Sequence, residues 1–123
     1  MFAEPLGKFA IEIIPQKPFQ DWLEKVQQHL GESLFSDYKG ALTSNSLYMI
    51  PVAYAGHIEE FLKEHFDVIF TNELGAWVIE DILWPESRSL SMFKDWFTIK
   101  NFDFCWDLDD DYEEDRMMMW NPN

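Results

Sequence analysis

Carboxylates near the C-terminal end are the residues whose spacing could most readily support chemistry. Asp103, Asp107, Asp109 and Asp111 are separated by even numbers of residues. If the last strand of the chain continues through them, all four point to one face of that strand. Paired carboxylates can hold Mg²⁺ or Ca²⁺ and can support metal-assisted hydrolysis. The spacing therefore allows a small metal-dependent hydrolase or nuclease that uses Asp103, Asp107 and Asp109.

Other features of the same region argue against this enzyme. The acids begin like a calcium-binding EF-hand loop, but Tyr112 and Met118 stand where that loop needs Gly and Glu. A nuclease also needs cations to hold a phosphate substrate, and only Lys94 and Lys100 lie nearby in the sequence. The carboxylates on their own also fit an acidic sheet edge that keeps the protein in solution and deters edge-to-edge aggregation.

The remaining catalytic patterns are weak. The glycines are too far apart to form a phosphate-binding loop. Ser91 and Lys94 match a Ser-x-x-Lys motif of acyl-transfer enzymes, but the companion motifs are missing. Cys105 has no histidine close in sequence to activate it as a nucleophile. The sequence thus favours a protein without catalytic activity and predicts no metal or other cofactor.

The charge balance narrows the range of partners. The chain of 123 residues has a net charge of −14 and a pI near 4.3. Nonspecific binding to nucleic acids or to anionic membranes needs positive charge, so we expect neither. Cys105 is the single cysteine, and from the residue pattern we expect neither a secretory signal nor a membrane span. These features predict a cytoplasmic protein.

The C-terminal end combines acids with apolar residues. A nearly uninterrupted acidic run is followed by Met117, Met118, Met119 and Trp120. These apolar residues could pack back onto the domain or could dock on a partner, because Met is adaptable and Trp is a frequent interface residue. The predicted partner-binding residues are Asp103, Asp107, Asp109, Asp110, Asp111, Glu113, Glu114 and Trp120.

The hydrophobic patterns predict one α+β domain at residues 1–108 and an acidic, Met- and Trp-containing tail at residues 109–123. Period-two segments predict an antiparallel or mixed sheet of about four strands, and period-3.6 segments predict helices packed on one side of it. The predicted strands cover residues 9–14, 47–54, 68–71 and 102–108. The predicted helical faces begin near Phe19, Ile58 and Leu90.

Two parts of this interpretation depend on aromatic residues. Phe102, Phe104 and Trp106 alternate with polar residues, which predicts a last strand with a buried aromatic face and an acidic outer face.

Residues 73–84 fit a helix slightly better than a hairpin. The residues predicted for the core are Trp22, Phe61, Phe93, Phe104 and Trp106.

Taken together, the sequence favours a non-enzymatic acidic binding protein for a basic protein partner. An acidic surface attracts a positive ligand and accelerates association. A protein that neutralises a basic toxin, as immunity proteins do, is one form that such a protein could take. The metal-dependent hydrolase or nuclease is the alternative.

Overall fold

The sheet is the frame on which the rest of the protein is arranged. A computed structural model describes residues 8–30, 45–106 and 108 of the chain. In these residues, three strands form one antiparallel sheet: β1 (Lys8–Pro15), β2 (Ser46–Pro51) and β3 (Phe97–Phe102). The strand order is β2-β1-β3, so β1 lies in the centre. The α+β class is confirmed, with three described strands instead of about four.

Helices accompany the sheet. The α-helices that lie wholly within the described residues are α1 (Lys17–Leu30), α2 (Ile58–Gly75) and α3 (Leu90–Trp96). Short 3₁₀ helices lie at Val52–Tyr54 and Asp81–Leu83. Ser89 caps the start of α3, because its side chain accepts a hydrogen bond from the Met92 backbone amide at 3.1 Å. No helix among the described residues is both long and apolar enough to cross a membrane.

The core lies between the helices and one face of the sheet. Alternate residues of β1 point into it: Phe9, Ile11 and Ile13. Aromatic and aliphatic side chains from the helices pack against them: Phe19, Leu23, Ile69, Phe70 and Phe93. The predicted core positions Phe61 and Phe93 are buried, and Trp22 packs partly buried against the same cluster. Burial of this apolar surface is the main force that holds the fold together.

The predicted strand at residues 68–71 is wrong, because these residues continue α2. Ile69 and Phe70 are buried on the same helical face as Phe61 and Leu62. The Thr71 hydroxyl donates to the Asp67 backbone oxygen at 2.8 Å, a bond that a helix allows a β-branched residue to make. Packing against the core thus outweighs the local β propensity.

The predicted last strand at residues 102–108 is also wrong. β3 ends at Phe102, residues 103–105 form no strand, and Trp106 makes a single β-bridge, while Asp107 lies outside the described residues. Phe104 and Trp106 are exposed, so they do not belong to the core. Residues 76–84 form neither a long helix nor a hairpin: α2 ends at Gly75, and a turn and the 3₁₀ helix Asp81–Leu83 follow.

Candidate partner-binding surfaces

The two faces of the sheet differ in what covers them. In the register of the strands, Ala10 pairs with Met49 on one side and with Phe102 on the other, while Glu12 pairs with Leu47. These residues alternate with Phe9, Ile11 and Ile13, which point to the helices. Met49, Leu47 and Phe102 therefore lie on the face opposite the helical layer, and all three are exposed.

This second face carries an apolar cluster, which we call the sheet-face patch: Leu47, Met49, Phe102, Phe104 and Trp106. Phe104 is 72% exposed and Trp106 is 54% exposed. The five side chains and Ala10 line a shallow cavity of about 460 Å³. The half-buried Cys105 thiol also contributes to the cavity wall. Clustered exposed apolar residues of this kind are typical of interaction sites.

Acidic residues adjoin the sheet-face patch in the sequence. Asp103 is exposed between Phe102 and Phe104, and its carboxylate accepts a hydrogen bond from Asn101 Nδ2 at 2.7 Å. The other predicted partner-binding residues lie outside the described residues: Asp107, Asp109, Asp110, Asp111, Glu113, Glu114 and Trp120. The described part of the predicted surface thus consists of Asp103 and the aromatic residues on either side of it.

The metal-site hypothesis rests on three carboxylates, of which the structure describes only Asp103. Across residues 8–30, 45–106 and 108, no group of three His, Cys, Asp or Glu side chains could hold a metal ion. Asp107 and Asp109 lie outside those ranges.

A second exposed apolar region lies in the loop at residues 78–84. Ile79 is 86% exposed and Ile82 is 83% exposed, the two highest values among the large hydrophobic residues of the described ranges. Glu80 and Asp81 stand between them and are also exposed. In the described part of the chain, neither carboxylate has a hydrogen-bond or ion-pair partner.

Hydrogen bonds and packing hold this loop against the helices, so we call residues 78–84 the braced loop. Trp22 Nε1 donates to the Leu83 backbone oxygen at 3.0 Å, and Trp84 Nε1 donates to the Val78 backbone oxygen at 2.8 Å. Val78 is buried, and the Trp84 ring packs on Gly75, where even a methyl group would meet the ring at 3.2 Å. Trp22 belongs to α1 and Gly75 belongs to α2. The braced loop therefore lies on the helical side of the sheet, away from the sheet-face patch.

Glu73 provides the one buried carboxylate among the described residues. It is 6% exposed, near the end of α2. Tyr48 Oη donates to Glu73 Oε2 at 2.5 Å, and Ser46 Oγ donates to Glu73 Oε1 at 3.1 Å. Asn72 Nδ2 in turn donates to Tyr48 Oη at 2.7 Å. Burial, followed by the hydrogen bond to Glu73, raises the pKa of Tyr48 above its ordinary value.

This arrangement ties β2 to α2. A buried carboxylate is costly unless hydrogen bonds replace its lost water, and two hydroxyl donors do so here. Tyr48, Asn72 and Trp84 also line a shallow, open depression beside the carboxylate. Both Glu73 carboxylate oxygens already accept protein hydrogen bonds, and no described buried side-chain polar atom lacks a partner. We therefore assign the Glu73, Tyr48 and Ser46 hydrogen bonds a structural role.

An ion pair fixes the segment after the braced loop. Arg88 Nε and Nη2 donate to the two Asp67 carboxylate oxygens at 2.6 and 3.2 Å, and Arg88 Nη1 donates to the Pro85 backbone oxygen at 2.8 Å. The hydrogen bonds from Arg88 lower the pKa of Asp67 below its ordinary value. The loop and the segment that follows it are thus both fastened to α2.

The comparisons with known proteins identify no relative. No family model, curated protein or solved structure matches the chain.

Sequence reasoning missed the braced loop and Glu73. The burial of Glu73 could have been predicted, because Phe66, Ile69 and Phe70 follow a helical spacing and Glu73 is the next residue on the same inward face of α2. The exposure of Ile79 and Ile82 had no comparable signal, since an exposed isoleucine and a buried one look alike in a sequence.

Proposed function

We propose that this protein is a non-enzymatic binding protein for a basic protein partner, and that the sheet-face patch is the centre of its binding surface. The observation that carries the proposal is the exposure of Phe104 and Trp106 on a sheet face that no described helix covers. Aromatic side chains in such positions are the usual energetic centres of protein interfaces.

The charge supports a basic partner over a neutral one. Asp103 lies within the patch sequence, and the run Asp107–Asp115 follows it without a base. The net charge of −14 attracts a positive protein and raises its association rate. An apolar centre beside acids thus fits a partner that offers an apolar side chain among Lys and Arg residues. A toxin-neutralising immunity protein is one activity of this kind.

The same charge argues against nucleic acid as the ligand, because a protein that presents acids releases no counterions from a phosphate backbone. We propose the cytoplasm as the compartment, since a single cysteine gives no structural disulfide.

The test begins with a photo-cross-linking amino acid at position 104 of the full chain, expressed in its own host. We expect a basic protein to be cross-linked from position 104 and not from position 25, which is exposed on α1. Association and dissociation rates are then measured with that protein in purified form. The Phe104→Ser, Trp106→Ser variant should dissociate faster by about tenfold or more, because it removes two aromatic contacts.

Charge variants complete the design. Replacing Asp109, Asp110, Asp111, Glu113 and Glu114 with Asn or Gln should slow association and reduce its salt dependence. The matched control neutralises Asp21, Glu24, Glu59, Glu60 and Glu64 on the helices, which changes the net charge equally at a different place. An association rate that falls no more with the first set than with the second would exclude the acidic end as the binding surface.

A further inference from the structure

The braced loop carries a second inference, which concerns the helical side of the sheet. We propose that residues 78–84 form a separate protein-binding element, in which Ile79 and Ile82 enter an apolar groove bordered by Lys or Arg residues on a partner protein. This interface is distinct from the sheet-face patch and does not rest on the function proposed for that patch.

The first reason is the exposure of the two isoleucines. Ile79 and Ile82 are almost fully exposed, whereas Val78 beside them is buried. The fold therefore uses Val78 to anchor the loop and does not use the two isoleucines. Burial of such side chains in a partner removes apolar surface from water without disturbing the core of this protein.

The second reason is that the loop is held in place before any partner arrives. The backbone amides of Leu83 and Trp84 donate to the backbone carbonyl oxygens of Glu80 and Asp81, respectively, both at 3.0 Å. The Trp22 indole bonds the loop to α1, and the Trp84 indole bonds the two ends of the loop to each other. A preorganised loop loses little conformational entropy on binding, so more of the contact energy appears as affinity.

The third reason concerns charge. Glu80 and Asp81 lie between the isoleucines and have no cation partner in the described part of the chain. A second copy of this chain, itself at −14, would bring further negative charge to the same place. A groove with an apolar floor and basic rims matches both residue types, so the occupant we infer is a basic groove on another protein.

The experiment places the photo-cross-linking amino acid at position 82 of the full chain, with position 25 as the exposed control. The protein that is cross-linked from position 82 is purified, and its affinity is measured for wild-type protein and for three variants. Circular dichroism checks that each variant retains the fold. The Ile79→Ser, Ile82→Ser variant should weaken the affinity by about tenfold or more.

The Glu80→Gln, Asp81→Asn variant should slow association by a few-fold and reduce its dependence on salt. The Phe104→Ser variant serves as the control, because it alters the opposite face of the sheet and should leave this affinity unchanged. Its behaviour separates this proposal from the preceding one, since each interface has its own variants.

Three results would overturn the inference. One is the absence of a protein cross-linked from position 82 in excess of the control position. Another is an affinity that the isoleucine variant leaves unchanged. The last is a cross-linked product made of two copies of this chain, because it would show that the loop binds itself and not a basic groove.

Discussion

The sheet-face patch and the braced loop both expose apolar side chains beside acids, but they are built differently. The patch is a shallow cavity on the sheet face that no described helix covers, lined by long side chains such as Met49 and Trp106. The braced loop projects Ile79 and Ile82 outward from a backbone that two indole hydrogen bonds hold. A cavity suits a partner that inserts a side chain, whereas a projecting loop suits a partner that offers a groove.

The comparison also separates residues that support the fold from residues that the fold leaves free. In the braced loop, Val78 and Trp84 anchor the two ends, and Ile79 and Ile82 are exposed between them. In the sheet-face patch, Phe104 and Trp106 follow the end of β3 and expose most of their side chains, with a single backbone β-bridge at Trp106. Substitutions at anchoring and exposed positions should therefore have opposite effects on stability and on binding.

The largest effect on stability is expected at the anchor of the loop. Trp84→Ala removes the ring over Gly75 and the hydrogen bond to Val78, and should lower the free energy of unfolding by about 2–3 kcal/mol. Ile82→Ser is the matched change at an exposed position of the loop and should change the free energy of unfolding by less than about 0.5 kcal/mol. Urea denaturation measures the free energy of unfolding of both variants. Equal losses would contradict the claim that Trp84 anchors the loop and Ile82 does not.

Tyr48 tests the hydrogen-bonded contact between β2 and α2. The opposite face of β2 carries the sheet-face patch. Tyr48→Phe takes one donor from the buried Glu73 carboxylate and should cost about 1–2 kcal/mol. Leu47→Ser, one residue away on the exposed face, should cost much less. If the two losses in chemical denaturation prove similar, the assignment of the two strand faces is incorrect.

The same tyrosine predicts a pH effect. The pKa of Tyr48 is raised in the folded state, so its contribution to stability is complete below the ordinary phenol pKa of about 10. That contribution is lost as pH rises through the folded-state pKa. Wild-type stability should therefore fall above about pH 10 more steeply than that of Tyr48→Phe, and parallel curves from denaturation at several pH values would contradict the assignment.

Trp106 provides the corresponding test on the sheet-face patch. Because this side chain is 54% exposed, Trp106→Ala should cost about 1 kcal/mol, well below the loss expected for a fully buried tryptophan. A loss above about 3 kcal/mol in the same denaturation assay would mean that the aromatic face is covered by the fold itself.

The smallest effect is expected at the ion pair that follows the braced loop. The Asp67 carboxyl is half exposed, so Arg88→Gln should cost about 0.5 kcal/mol at neutral pH. Since the pKa of Asp67 is lowered in the folded state, this contribution is present above the ordinary carboxyl pKa and is lost as pH falls through the folded-state pKa. The wild-type and Arg88→Gln stabilities should converge in acid, and a constant difference down to pH 2 would contradict this origin.

The sequence predicted those elements whose pattern has one interpretation. β1 and α1 follow clear apolar spacings, and so does α3, which begins at Leu90 as predicted. The second half of α2 was missed because its β-branched residues favour a strand locally, while packing against the core makes them helical.

The candidate sites could be predicted only in part, for a physical reason. Alternation of Phe102, Phe104 and Trp106 with polar residues predicts an apolar side, but it does not say whether the core or a partner covers it. That ambiguity produced the wrong core assignment for Phe104 and Trp106. The exposure of Ile79 and Ile82 depends on how Trp22 and Trp84 hold the loop, and the Trp22–Leu83 hydrogen bond joins residues 61 positions apart in the chain.

The central claim is that the sheet-face patch binds a basic protein, and a hydrogen-exchange footprint tests it most directly. Exchange is measured for the full chain alone and in complex with the protein cross-linked from position 104. We predict slower exchange in the peptides that contain β2 and residues 102–108, with residues 78–84 unchanged in that complex. Protection confined to the helices, with the peptides around Met49 and Trp106 exchanging as in the free protein, would contradict the claim.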